Sequence, residues 1–333
     1  MRLSDFESGR NNNFNLIRML AATGVLVSHA FPIALGTGTT QPFEDATGYT
    51  LGWISVAVFF AISGFLITRS FDRKPHLESW FAARIARLFP ALIVVTTLTV
   101  LLYGPALTTL ASGDYFSLVR TWTYIPRNVT LAWLQFGLPG VIADNPYPDA
   151  INGSLWTLFH EVLCYLGVLL AGLAGALGSR RRFAMVMIVY LAAFAAAGHP
   201  QIAEILPRRA LSFRLLSFPF ALGMALYVWR DRVPVSWTIA GLLAVAAAVL
   251  RPTPLFGPVF VAAIAYTTFV VAYRPGGVLR RYNELGDYSY GMYVYAFPVQ
   301  QAAVAVAGPM SPSMARRSSA STREPAARFR SEP

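Results

Sequence analysis

Phe14-Asn-Leu-Ile-Arg-Met-Leu-Ala-Ala-Thr-Gly-Val-Leu-Val-Ser-His-Ala-Phe-Pro-Ile33 is an apolar run that carries one cation, Arg18, and one imidazole, His29. At about 100° per residue, eleven steps return to within roughly 20° of the start, so both side chains lie on one helix face about 16 Å apart. That separation is half the thickness of a bilayer core. A cation near one end of a membrane helix, with a titratable ring deep on the same stripe, points to a polar path entering the membrane from one side.

The rest of the chain supports a membrane setting. Of 333 residues, 55% are hydrophobic and 13% charged, and the mean hydropathy is +0.50. Nine apolar runs, near 14–35, 51–68, 88–110, 154–178, 183–198, 210–229, 233–250, 252–273 and 286–308, approach the ~20 residues a spanning helix needs. The expected fold is an all-α polytopic helical bundle with about nine or ten transmembrane helices. The polar segment before Phe14 is no cleavable signal, so the first span is expected to act as its own insertion signal.

Basic residues set the expected orientation. With the N-terminus cytosolic, fifteen Arg and Lys fall in cytosolic segments and five in outer loops, provided that 111–153 does not cross. The bias agrees with the positive-inside rule. A crossing at 118–137 would place Arg180, Arg181 and Arg182 outside, so that stretch reads as interfacial or re-entrant. The net charge of +11 then reflects topology and anionic headgroups, and no basic-aromatic domain remains for nucleic acid. Trp122, Tyr124, Trp133 and Tyr147 in the outer segment form either a carbohydrate platform or an aromatic belt. Cys164, the one cysteine, excludes a disulfide within the chain and a thiol-ligand metal cluster, and no metal site is expected.

Residues 1–308 read as the membrane domain. Residues 309–333, rich in Arg, Ser and Pro, read as a disordered tail. Nine crossings would put this tail outside, against the bias of the other loops, so the C-terminus is unusual.

Charged groups inside the spans are the candidates for chemistry, since each costs about 2.5 to 3.5 kcal/mol at a helix centre. Arg18 is either a snorkelling anchor or part of a site. Ser154, Thr157, Glu161 and Tyr165 form one polar helix stripe, with Glu161 two turns below the outer end. His29 and Glu161, at similar depth, could form a dyad in which the carboxylate orients the ring. His160 points about 100° away from Glu161 and carries less weight. After the second span, Trp80-Phe-Ala-Ala-Arg-Ile-Ala-Arg-Leu-Phe-Pro90 sets Arg84 and Arg87 three residues apart beside the membrane. They are either a topological anchor or two guanidinium forks for phosphate oxygens.

These stretches together resemble acyltransferase family 3, the multispanning O-acyltransferases. Phe14 to His29 is similar to its Arg-x(10)-His signature, Phe59-Phe-Ala-Ile-Ser-Gly-Phe-Leu66 to its second-span motif, and Phe81 to Pro90 to its basic loop. Ser154-Leu-Trp-Thr-Leu-Phe-His-Glu161 with Tyr165 resembles its fourth element, and Tyr288-Ser-Tyr-Gly-Met-Tyr-Val-Tyr-Ala-Phe-Pro-Val299 its C-terminal motif.

The resemblance implies transfer of an acyl group, often acetyl from acetyl-CoA, across a bacterial inner membrane to a hydroxyl of an extracytoplasmic glycan or glycolipid. It places Arg18, Arg84 and Arg87 at the acyl-CoA, His29 as the essential imidazole, and Glu161 beside it or on sugar hydroxyls. Trp156, Tyr165 and Ser63 fall with the substrate. Ala296 stands where many members carry a histidine, and the family's further span with its cytosolic tail is replaced by the polar segment after Gly308, so the resemblance implies a frameshifted or truncated end in the place of a last transmembrane helix. A flippase for an anionic or sugar-linked lipid, or an inactive truncated homologue, is the alternative expectation.

Overall fold

The computed structural model describes residues 1–6, 11–73, 76–148 and 150–308. The tail expected from 309 onward lies outside the described residues. Apart from single turns and the short Pro200–Ile205, the helices are α1 (Phe14–Leu35), α2 (Leu51–Arg73), α3 (Leu77–Leu98), α4 (Ser112–Ser117), α5 (Val119–Thr130), α6 (Trp156–Leu173), α7 (Arg180–Ala196), α8 (Arg208–Val228), α9 (Trp237–Val249), α10 (Phe256–Tyr273) and α11 (Ser289–Ala307). No strand is present among the described residues, only isolated bridges.

Every expected apolar run contains a helix, yet among the described residues six segments are both long and apolar enough to cross a membrane: α1, α2, Leu77–Leu107, Gly153–Leu173, α8 and α10. Of the others, α7 has 17 residues, α9 has 13, and α11 has 19 but includes Gln300 and Gln301. The basic stretch Trp80–Pro90, expected as a loop, is the first half of α3. That helix continues through a π-helical turn at Thr99–Tyr103 to Leu107. The doubtful stretch 118–137 yields only the 12-residue α5, about 18 Å long and too short to cross.

Large apolar side chains such as Leu170, Ile188, Val189, Leu242 and Val245 lie exposed along helix faces, while Arg18, Ser63, Thr68 and His160 are buried. A water-soluble bundle has the opposite distribution. The chain is a multi-pass membrane protein.

By compactness it forms two units. One comprises Met1–Ala21, Ile54–Arg84 and His160–Ser289; the other comprises Ala22–Trp53, Ile85–Phe159 and Tyr290 onward.

In the first unit α2 is the central helix. Contacts ascend together along α2 and α6, from Ser63 with Glu161 to Phe71 with Gly172. They also ascend along α2 and α8, from Phe60 with Phe220 to Asp72 with Tyr227. The three helices therefore run parallel, and α7 carries the chain back between α6 and α8. Gly64 and Gly223 let α2 and α8 touch through backbone. A Cβ on Gly64 would lie 2.0 Å from the Phe220 carbonyl oxygen, and one on Gly223 would lie 2.1 Å from that of Ala61. Small residues permit such approach where lipid supplies no hydrophobic drive between helices. At one end of this unit Arg2 and Arg180 share Asp231, and Arg230 pairs with Asp72. Four loops expected on the same side of the membrane thus meet.

In the second unit, α4 and α5 fold onto the end of the long helix. Tyr115 donates to the Val100 carbonyl at 3.0 Å, and a core of Val100, Tyr115, Tyr124, Leu138, Val141, Ile142 and Ile151 closes around them. Burial raises the Tyr115 phenol to about 12 and pushes that of Tyr124 up as well.

Candidate active site

Within the first unit, the polar groups that sequence patterning places on separate helices converge on Glu161. Tyr165, one turn along α6, donates its hydroxyl hydrogen to Glu161 Oε1 at 2.5 Å, and Ser63 of α2 donates to the same oxygen at 3.2 Å. Two donors on one oxygen hold the carboxylate in a single orientation. Its other oxygen retains its lone pairs among the described residues. The Arg84 guanidinium lies 6.0 Å from the Tyr165 ring centroid and 5.9 Å from that of Trp80, at the outer limit of cation–π attraction. Arg84 starts seven residues into α3, so its side chain reaches the middle of α6 rather than resting at the helix end. Ser63, Arg84, Glu161 and Tyr165, four of the candidate residues, are thus one cluster. Arg87, one turn further along α3, is half-buried and belongs to the second unit.

Arg18 is buried in the first unit and pairs with Asp287 at 3.0 Å. Asp287 Oδ1 in turn accepts from the backbone N–H and the hydroxyl of Ser289. The arginine of the first helix is therefore tied to the start of the Ser-Tyr-Gly motif. Asp287, which carries this connection, stands one residue before the stretch that patterning singles out.

His29 belongs to the second unit and lies half-buried on α1, in the same uninterrupted helix as Arg18. Its ring meets the Phe297 ring edge-on at 5.2 Å, and Phe297 also contacts Tyr147 at 5.8 Å. Among the described residues the imidazole has no hydrogen-bond partner, so both ring nitrogens are open to one. The walls around it are tied together by polar contacts. Gln300 donates to the Leu26 carbonyl, Gln301 to those of Tyr147 and Ala150, and Asn152 to that of Val294. Thr157 of the expected polar stripe bonds the Tyr293 hydroxyl at 2.6 Å, so the stripe divides, its upper half serving α11 and its lower half the Glu161 cluster. Trp156 begins α6, half-buried.

His160 does not take part. Its ring bonds the Arg209 carbonyl at 3.2 Å and stacks near Phe213, the pattern of a satisfied packing residue.

Residues 11–307 match the family model described as an acyltransferase domain, that of acyltransferase family 3. The chain is 30% identical over 305 residues to an O-acetyl transferase of Shigella phage Sf6, covering 89% of this chain and 86% of that one. It is 28% identical over 339 residues to nodulation protein 10 of Rhizobium leguminosarum bv. viciae, covering 91% and 86%. No solved structure matches it. The buried polar groups, the membrane helices and this match over most of the chain agree: it belongs to acyltransferase family 3 and is a membrane O-acyltransferase.

Proposed function

We propose that the chain takes an acyl group, acetyl in the first instance, from cytosolic acyl-CoA and delivers it to a hydroxyl of an extracytoplasmic glycan or glycolipid. It does so in a bacterial inner membrane with its N-terminus in the cytosol. The observation that carries this reading is the cluster in which Arg84, Tyr165, Glu161 and Ser63 meet on three helices. A half-buried cation and carboxylate joined by two buried hydroxyls in a lipid-facing bundle are too costly to serve packing alone. The likeness to the phage O-acetyl transferase favours acetyl as the group moved.

A sugar hydroxyl is a weak nucleophile at neutral pH, so a base within hydrogen-bond reach must take its proton as it attacks the thioester carbonyl. His29, with unbonded ring nitrogens, is assigned that role. The new C–O bond forms as C–S breaks, and the proton passes from the imidazole to the departing thiolate of CoA. Arg18, Arg84 and Arg87 are assigned to the phosphates of the donor, for which guanidinium forks suit. Glu161, held by Ser63 and Tyr165, offers its second oxygen to an acceptor hydroxyl, and Trp156 offers a face for a pyranose. The decisive experiment incubates purified protein with labelled acetyl-CoA and a glycan acceptor. Release of free CoA with label on the glycan is expected, whereas intact donor after many hours would refute the reading. Mass spectrometry of the surface polysaccharide of a deletion strain would identify the acceptor.

A further inference from the structure

A cavity of about 640 Å³ opens between α5 and the strap that follows it, lined by Arg120, Thr123, Arg127, Leu134, Gln135 and Phe136. All of these belong to the second unit, and none is a residue assigned to acyl transfer. The wall is built rather than incidental. Gln135 is buried, its side chain taking the Thr123 hydroxyl and donating to the carbonyls of Arg120 and Gly137. Asn128 bonds the Gln135 backbone from both directions at 2.9 and 3.2 Å. The strap is thereby locked along the helix. Leu131, at φ 61° with a side chain, makes the reversal.

Arg120 and Arg127, seven residues apart, share one face of α5, while Thr121, Tyr124 and Asn128 are buried on the other. Among the described residues neither guanidinium has an ion-pair or hydrogen-bond partner, and no Asp or Glu occurs between Asp114 and Asp144. The arginine Cα atoms are about 10 Å apart along the axis, so two long side chains can close on one anion between them. A carboxylate, with two oxygens, is satisfied by one fork, whereas a phosphate ester has oxygens for both. Leu134 and Phe136 add an apolar wall. Trp122 and Trp133, 49% and 73% exposed on the same segment, are residues suited to a lipid–water boundary.

We propose that this cavity binds the phosphate of an amphiphile, the two guanidiniums gripping its headgroup and Leu134 and Phe136 receiving the start of its chain. Its source is either the bulk phospholipid or a prenyl-phosphate carrier of a glycan, which share this chemistry.

The test uses the full chain in an uncharged detergent and calorimetric titration with farnesyl phosphate, farnesol, dihexanoyl phosphatidylglycerol and inorganic phosphate. Farnesyl phosphate should bind at least tenfold tighter than farnesol or inorganic phosphate. Comparable binding of phosphatidylglycerol assigns the site to bulk lipid, and weaker binding assigns it to a prenyl carrier; both support the proposal. R120Q/R127Q should weaken farnesyl phosphate at least tenfold, while R208Q should not. Equal binding of farnesol or inorganic phosphate, or wild-type affinity in R120Q/R127Q, would overturn it. If that double variant does not fold, R120K/R127K decides: weakening of threefold or more supports the guanidinium grip, and wild-type affinity refutes it.

Discussion

Tyr165 lies one turn beyond Glu161 on α6 and donates its phenol hydrogen to Oε1 over 2.5 Å, while its ring faces Arg84. One side chain thus joins a carboxylate that the sequence places in the outer half of the membrane and a cation that it places at the cytosolic surface. Hydrogen bonds to charged groups contribute about 1.5–3 kcal/mol. Tyr165→Phe should therefore lower kcat about 10- to 100-fold, with Ser63→Ala, the longer bond, costing less. Steady-state acyl transfer in detergent measures this. A Tyr165→Phe enzyme within twofold of wild type would mean that the Glu161 orientation does not matter to turnover.

Gly64 follows Ser63 and meets the Phe220 carbonyl across the α2–α8 contact. A methyl group there has no flexible neighbour to displace, so the helices must part and Ser63 must move with them. Gly64→Ala and Gly223→Ala should each cost about 1–3 kcal/mol, as overpacking does, seen as a lower thermal midpoint. Gly167→Ala is the control: nothing lies within 4 Å of its added carbon, and its midpoint should hold or rise. Unchanged melting of both crossing variants would show that the helices do not need this contact.

What the sequence reveals about this molecule follows from what hydropathy and spacing encode. Apolar runs announce α1, α2, α8 and α10, because burial in lipid is a property of composition. The stripe Ser154, Thr157, Glu161 and Tyr165 is legible from helical period. Partners across the fold are not. Asp287 meets Arg18 over a separation of 269 residues, and a lone Asp beside a Ser-Tyr-Gly motif does not name its cation. Nor does anything in the second-span motif tell that Gly64 meets the Phe220 carbonyl. The depth of Arg84 is hidden because a basic stretch ending in Pro90 reads as a loop, whereas α3 starts at Leu77 and carries the proline within it.

The Arg18–Asp287 pair separates an anchor from a donor grip. Both side chains are largely buried, 9% and 19% exposed. Breaking the pair by removing either partner costs roughly 3 kcal/mol at this burial. Arg18→Gln and Asp287→Asn should each lower the thermal midpoint, and the double variant should lose less than their sum. Arg18→Gln should in addition raise KM for acetyl-CoA, an effect Asp287→Asn should not match. Equal donor KM in the wild type and Arg18→Gln would confine Arg18 to a structural role.

His29 is the candidate whose surroundings most constrain its chemistry. Its ring is fixed in direction by the edge of Phe297, which leaves both nitrogens without a protein partner among the described residues. An imidazole kept for packing would show a satisfied nitrogen, as His160 does on the Arg209 carbonyl. General-base catalysis contributes typically 10²–10⁴-fold, so His29→Ala should lower kcat at least 100-fold. Expression and thermal midpoint should stay near wild type, because no hydrogen bond is lost. Phe297→Leu, which frees the ring without removing it, should lower kcat by a smaller factor of about 5 to 10 and leave donor KM in place, as expected for a base whose aim is loosened. Turnover of His29→Ala within twofold of wild type would remove the imidazole from the mechanism. A fall in Phe297→Leu as deep as that of His29→Ala would show that the ring edge, and not the proton transfer, limits the reaction.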